Sequence, residues 1–568
     1  MEEIAVAVTE DRVVLRPLTG GPATDFARTE APDRFAALEP TGVRWVWADT
    51  RELYPELLRS GVRVERCTDL RLAHAILARS TYLDRPLTGS DEFWDRTPAE
   101  LLEDEQPTLL ARPVERAGLE QVITEHRLQA EAVAAARYGP RLRLLLAAES
   151  AGALIAAELQ HHGLPFDTAV HDRQLTDLLG PRPRFGGRPE VLERLAGEIR
   201  AMLAAPQLNP DSPPELLRAL HSAGVEATST RQWELAKLDH PVIPPLLTYK
   251  KLSRLLSANG WGWADAWVRD GRFRPEYVPA GVVTGRWATR GGGALQIPKQ
   301  IRGAVTADPG WRLVVADAAQ LEPRILAAMA QDQRLARAAR GGDLYQGLVD
   351  EGVVETRAKA KVAMLGALYG ATTGDSGQLM PRLIKAYPRG TGLVEDAARA
   401  GERGEVVTTW LGRSSPSPGE SWHRVQAAAG AAEATPQDQR RARQQARDWG
   451  RFTRNFVVQG TAAEWALCWM ADLRNRLIRL GSEGERPHLV YFLHDEIIVH
   501  TPERFAAEVE EAIRAAATTA TRLMFGDFPI ELALDLATVS NYAEVDAPAD
   551  PAVAESAELT ELLDPAAR

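Results

Sequence analysis

WRLVVADAAQLEPRILAAMAQD, residues 311–332, joins two periodicities at one acid. The run from Trp311 to Ala316 is apolar and rich in strand formers, and it ends on Asp317. From Leu321 onward the apolar residues recur at helical spacing, so an amphipathic helix follows at once. A second acid-bearing element lies downstream. HLVYF (488–492), the turn LHDE (493–496) and IIVHT (497–501) read as a hairpin with Asp495 and Glu496 at its tip. Together these stretches predict a small sheet flanked by helices, with carboxylates where strands end. Taken singly, each acid is better explained as a helix cap or a turn residue. Brought together and buried they would repel, and a divalent cation is the usual resolution.

Two long helices are predicted between these acids, over 355–370 and 440–473. In TRAKAKVAMLGALYG (356–370), Arg357, Lys361, Leu365 and Tyr369 recur every four residues and form one drifting stripe. Its cations suit a triphosphate and its aromatic suits a base, although a solvated cationic face has the same spacing. In the second helix Arg440, Arg443, Arg447, Arg451 and Arg454 are spaced three or four apart, and the face continues into Asn455 and Gln459. Phosphate contacts outside and groove-edge contacts inside would need this order, and a solvent-exposed basic helix is the competing explanation. TGRWATRGGG (284–293) adds Arg286 and Arg290 beside glycines that permit close backbone approach.

The chain has 568 residues, 45% hydrophobic and 26% charged, which predicts two or more soluble globular domains without a membrane span. Its acidic opening, MEEIAVAVTEDR, lacks the pattern of a secretory signal, so a cytoplasmic, nucleoid-associated protein is expected. Only Cys67 and Cys468 are present, which excludes a disulfide framework and a cysteine zinc site and predicts buried thiols. The net charge of −11 by itself opposes a nucleic-acid partner, but the charge is segregated. Seven acids lie between Glu544 and Asp564, whereas residues 439–454 carry six arginines and one acid. The segment 546–568 therefore reads as a disordered acidic tail.

Toward the start, IAVAV and VVLRPL predict a hairpin, RWVWA (44–48) a strand, and ELYPELLRSG and DLRLAHAILARS helices. The Pro- and acid-rich stretch 83–107 reads as a long loop, with a domain boundary after it near Tyr138.

In order and in company, these segments resemble the family A DNA polymerases over roughly the last two-thirds of the chain. DAAQLEPR resembles motif A, RAKAKVAMLGALYG motif B, and LHDE motif C. TGRW is similar to the TGRLSS element, RFTRNFVVQGTAAE to the R…N…QGTAA helix, and HPVIPPLLTYKKLSRL to the segment preceding the thumb. The resemblance implies a mostly helical α+β right hand of palm, fingers and thumb over 138–545. It implies template-directed addition of dNTPs to a primer, with two Mg²⁺ ions held by Asp317 and Asp495 and Glu496 nearby. Primer-template DNA and dNTPs would be the partners of a monomeric enzyme of replication or repair.

By the same resemblance Arg357 and Lys361 would bind the triphosphate, with Lys361 protonating the departing pyrophosphate. Gln320, Tyr345, Leu365 and Tyr369 would complete the nucleotide site, and Glu322 would exclude a ribose 2′-hydroxyl. Arg286, Arg324, Arg451, Asn455, Gln459 and His494 would contact DNA. The sequence departs from the family at Ala318, Ala319 and Pro323 in motif A, at Leu365 where an aromatic is usual, and at Tyr345 where a histidine is usual. ALQIPKQIR is also shorter than the corresponding family region.

The first 137 residues resemble, more faintly, an α/β (RNase H-like) 3′–5′ exonuclease domain. No D-x-E lies on an opening strand, Leu53 stands where an aspartate is needed, and AGLEQVITEHRLQAEAV lacks Y-x-x-x-D. The expectation is a degenerate, inactive exonuclease-like domain, with no 5′ nuclease domain before it. Two alternatives remain: a single-subunit RNA polymerase, which Glu322 opposes, and a catalytically weak duplex-binding protein, suggested by Leu365, Pro323 and Tyr345.

Overall fold

A computed structural model describes residues 2–87, 93–94, 115–290, 296–370, 374–482 and 484–546. The acidic tail, most of the predicted loop at 83–107 and the glycine run after Arg290 lie outside the described residues. The chain divides into two compact units, one of residues 1–162, 276–289 and 316–536, the other of residues 163–275, 290–315 and 537–568.

In the first unit the predicted opening hairpin forms from β1 (Glu3–Val8) and β2 (Arg12–Pro17), antiparallel with Ile4 opposite Pro17. With β3 (Thr24–Ala27), β4 (Arg44–Trp47) and β5 (Cys67–Asp69) they make a sheet ordered β3-β2-β1-β4-β5. β1, β4 and β5 are parallel, and their continuous burial fits a sheet covered on both faces. Val6, Val13, Phe35, Trp45, Trp47, Tyr54 and Leu57 form its core. Helix α1 (Gly139–His162) packs behind it, and Leu154 joins that core.

The predicted strand of the opening quotation is β6 (Trp311–Ala318), and the predicted helix is α2 (Leu321–Met329). Next come α3 (Arg357–Tyr369), α4 (Pro388–Glu402), α5 (Glu420–Ala429) and the 42-residue α6 (Pro436–Leu477). Thr435 caps α6 by accepting from Asp438 N, and Pro436 occupies its first turn, so the sequence marks its own start. The hairpin is β7 (His488–Leu493) and β8 (Glu496–Pro502), followed by α7 (Ala506–Phe525) and β9 (Leu534–Val539). The sheet order is β7-β8-β6-β9, and the limits of the two units fall within β6 and β9. From Phe456 to Leu477 α6 is largely buried, with Trp465 and Trp469 stacked at 5.2 Å, so this half anchors the helix.

The second unit is mainly helical, with a small sheet of Leu164–Pro165, Arg272–Phe273 and Val268–Arg269. Within it His171 bonds the carbonyl of Asn259 at 2.8 Å, closing the helix Thr168–Leu179 onto the end of Ile243–Asn259. Both cysteines are free and buried. Among the described residues no helix is long and apolar enough to cross a membrane.

Candidate active site

Asp317 and Asp495 reach the same edge of the sheet by different backbone routes. Asp317 is the penultimate residue of β6, after four buried residues. Leu493 pairs with Glu496, which leaves His494 and Asp495 as a two-residue turn. His494 takes a left-handed φ of 54° there, and Ala318 N donates to Asp495 O at 2.9 Å. That bond ties the residue after Asp317 to Asp495 itself. Gln320, three residues past Asp317, is also left-handed, so uncommon backbone conformations bracket both acids.

Burial raises the Asp495 carboxyl to about 6, and Glu322 and Glu496 add to the rise against Arg286. Glu322 is the next layer of the site. It pairs with Arg286 and accepts from Tyr369 Oη at 2.5 Å. Burial, then the negative Glu322, pushes the Tyr369 hydroxyl well above the usual range, while Gln459 bonds to it in the opposite sense. The structure thus brings Asp495, Glu322, Arg286, Tyr369 and Gln459 into one contiguous set drawn from five segments.

A second group surrounds Asp343, which the sequence reading missed. Asp343 caps the helix Leu344–Asp350 by accepting from Tyr345 N and Gln346 N, and it receives Gln320 Nε2 at 2.9 Å and Arg357 Nε at 2.5 Å. Tyr345 is buried with its ring 5.8 Å from the Arg357 guanidinium, and burial raises its hydroxyl to about 12. Gln320, Tyr345 and Arg357 therefore come together through one carboxylate, at the start of the helix that carries Lys361 and Leu365, both half-buried. An aspartate directly before a helical run was the available signal.

On α6, Arg451 is exposed and paired to Asp448, whereas Asn455 and Gln459 are half-buried. The Asn455 Oδ1 atom is buried with no hydrogen-bond partner among the described residues, so it can accept from an incoming donor. Two expectations need correction. Arg324 was expected on DNA, but it is fully buried and donates to the carbonyls of Ala319, Ala339, Glu531 and Gly342. Five fixed donors suit it to collecting carbonyl groups where three segments converge, and none of it is left for a duplex. Arg454 leaves the predicted basic face likewise: it is buried, donating to Ala367 O at 2.7 Å and pairing with Glu395.

The TGRW element owes its shape to a residue outside the recognised motifs. Gly285 has φ 87°, and a Cβ there would collide with the Arg413 guanidinium, which pairs with buried Glu149. Glycine lets the loop fold over Arg413 while Arg286 turns toward Glu322.

The family model described as DNA polymerase family A matches residues 189–544. The chain belongs to that family. Among curated family A relatives, the thermostable DNA polymerase I of Thermus filiformis is 27% identical over 384 residues, covering 60% of this chain and 42% of the relative. DNA polymerase I of Chloroflexus aurantiacus is 29% identical over 363 residues, covering 58% and 35%. The matched stretch thus covers less than half the length of each of these relatives. Among solved structures, the POL domain of Pol1 from M. smegmatis, in complex with DNA primer-template and dNTP, superposes with a TM-score of 0.65 at 19% identity, covering 96% of each chain. That likeness is one of fold, and the mostly helical architecture with small sheets accords with the family A polymerase domain fold.

Proposed function

We propose that this chain is a template-directed DNA polymerase that adds dNTPs to a primer 3′-hydroxyl by two-metal phosphoryl transfer. The observation that carries this is the convergence of Asp317 and Asp495 at one sheet edge, with Glu322, Arg286 and Tyr369 set beside Asp495. The donor set fits Mg²⁺: carboxylate oxygens are hard ligands, and an Asp495 carboxyl raised by burial and like charge gains from a cation. Bound there, two such ions would activate the primer hydroxyl and stabilise the leaving oxygen. Lys361, one turn after Arg357, is the proton donor for the departing pyrophosphate. Arg357 is the triphosphate ligand that would exchange Asp343 for phosphate. Glu322, held by Tyr369 and Arg286, closes the space beside the sugar, which favours dNTPs over ribonucleotides. Arg286, Arg451, Asn455, Gln459 and His494 line the primer-template path. Primer extension with Mg²⁺ tests the reading. Asp317→Ala and Asp495→Ala should each abolish extension, and extension at the unmutated rate by both variants would refute it.

We further propose that residues 1–137 are an exonuclease-like domain without nuclease activity, 138–545 the polymerase and 546–568 a solvated tail. This functional division differs from the compact units above. The supporting chemistry is at Asp49 and Asp69. Asp49 is held by Arg51 at 2.7 Å and faces Arg71 at 3.7 Å, and Asp69 is engaged by Thr50 N, Thr50 Oγ1 and Leu72 N. Two guanidinium groups thus supply the positive charge at Asp49, and the oxygens of Asp69 are taken by backbone and hydroxyl donors, which supports a reading without bound metal. Metal-dependent shortening of a 3′-labelled single strand, abolished by substitutions within 1–137, would overturn this assignment. The protein is proposed to act as a monomer in the cytoplasm, at the nucleoid.

A further inference from the structure

Helix α6 carries two basic regions that the structure separates. The C-terminal region, from Arg451 to Gln459, adjoins Tyr369 and belongs to the polymerase site described above. The N-terminal region does not. Arg440, Arg441, Arg443 and Arg447 are exposed, and with Gln437 and Gln444 they line an open surface depression. Arg447 donates to Gln444 at 2.7 Å, while Arg440 and Arg443 have no hydrogen bond or ion pair among the described residues. Like charges at three- and four-residue spacing oppose the helix that carries them, and Arg440 and Arg443 gain no hydrogen bond or ion pair among the described residues in exchange. An anionic ligand would relieve that cost.

We propose that Arg440, Arg443 and Arg447 form a phosphate-tracking surface for the template strand ahead of the insertion site, an inference that rests on the polymerase reading above. The position follows from helix geometry. At 1.5 Å per residue, Arg447 and Arg440 lie about 18 and 28 Å along α6 from Gln459. That is about five to eight nucleotide steps at duplex spacing. The direction follows from packing. The half of α6 beyond Phe456 is buried, and Trp465 and Trp469 reach Thr521 and Ile513 of α7, whereas the half with the arginines runs the opposite way, with Gln426 of α5 donating to Ala442 O at 3.0 Å. Gln459 reaches Tyr369 beside Glu322, whereas Arg451 packs against Gly370 past the end of α3, so toward its N-terminus α6 leads away from the acids that would hold the primer end, and a strand reaching the depression has yet to be copied. Arginines with free forks suit a phosphodiester backbone without sequence preference.

The test uses the full chain and an Arg440→Gln/Arg443→Gln/Arg447→Gln variant, chosen because glutamine is a good helix former at exposed positions. Three DNAs are compared: a short duplex with a 5′ template overhang of about two nucleotides, the same duplex with about twelve, and a duplex twice as long with the short overhang. The unmutated chain should bind the long-overhang DNA about tenfold more tightly than the short-overhang DNA, with a salt slope steeper by about two. The variant should lose that gain while inserting the first nucleotide on the short-overhang DNA at the unmutated rate. A variant that keeps the gain, or whose loss appears on the longer duplex instead, overturns the proposal. Absence of nucleotide insertion by the unmutated chain would refute the polymerase reading, and the binding comparison would still decide the role of the patch.

Discussion

The hydroxyl of Tyr369 donates to Glu322 Oε2 at 2.5 Å, joining the last residue of α3 to the first turn of α2. Glu322 is thereby fixed from two sides, since Arg286 holds its other oxygen. Hydrogen bonds to charged groups contribute about 1.5–3 kcal/mol, so Tyr369→Phe should loosen Glu322 without unfolding the site. The expected outcome is a tenfold or larger fall in the preference for dNTP over rNTP, read from single-nucleotide insertion kinetics. Glu322→Ala should erode it further. An unchanged preference in both variants would remove Glu322 from sugar discrimination.

Gly285→Ala tests the loop that supplies Arg286. The added methyl group meets the Arg413 guanidinium and the backbone is left-handed, so either Arg413 withdraws from Glu149 or the loop moves. Withdrawal would leave a buried carboxylate unpaired, at a cost of about 3–5 kcal/mol. A lowered melting midpoint together with weakened DNA binding is expected. Arg413→Met together with Glu149→Leu in the same chain should restore part of the stability, because both buried charges leave as a pair and the methyl group no longer meets a guanidinium.

How far the sequence was legible depends on the range of each interaction. Strand, helix and hairpin around Asp317 and Asp495 are written in local periodicity, and β6, α2 and the β7–β8 turn form where the pattern places them. Periodicity reports a face and says nothing of which neighbour covers it. Arg454 falls on the arginine stripe of α6 yet lies beneath α4, and Arg324 sits in motif A yet is consumed by one neighbouring carbonyl and three more distant ones. Arg413 acts through Glu149, 264 residues away, so no local pattern marks it, and the local signal at Asp343 marks a helix cap without naming Gln320 or Arg357 as its partners. Motif order along the chain compensated for this, because it carries tertiary information that a single stripe lacks.

Stability should fall as pH rises through neutrality, because of Glu464. Burial is the main cause of its displacement from the ordinary 4.5 to about 7, opposed by bonds from Thr409 and Leu411 N and by Arg413. Between those values the folded chain holds a proton that the unfolded chain has released. The contribution is therefore complete below about 4.5 and lost as pH climbs through about 7, a difference of about 3 kcal/mol. Glu464→Gln still accepts from Leu411 N, which donates at 2.9 Å, and its amide can donate to Thr409 Oγ1 while that hydroxyl donates to Arg413 O instead. Thermal melts from pH 5 to pH 8 should show a smaller decline in this variant. An identical decline would assign the pH dependence elsewhere.

Residues 1–137 should not be removable without damage to what remains, because the charge that ties them in is shared. Glu158 of α1 receives Arg474 of α6 at 2.6 Å, Arg63 at 2.9 Å and Tyr54 Oη at 2.5 Å, and Arg474 also donates to Val64 O and Glu65 O. Burial opposes the charge on Glu158, yet Arg474 and Arg63 prevail and hold its carboxyl far below the usual range. A depressed carboxylate stabilises the fold above its unfolded value and loses that contribution only as pH falls toward its folded one, so this link is intact at neutral pH. Glu158→Gln leaves two guanidinium groups without their counter-ion, Arg474 being only 3% exposed, and should cost about 3–5 kcal/mol. Glu158→Leu/Arg474→Met should cost less than Glu158→Gln alone, because the buried charge of Arg474 leaves with its partner. Hydrogen exchange should show β4, β5 and the C-terminal half of α6 losing protection together in Glu158→Gln. Loss confined to the sheet would mean that the first 137 residues fold independently of α6.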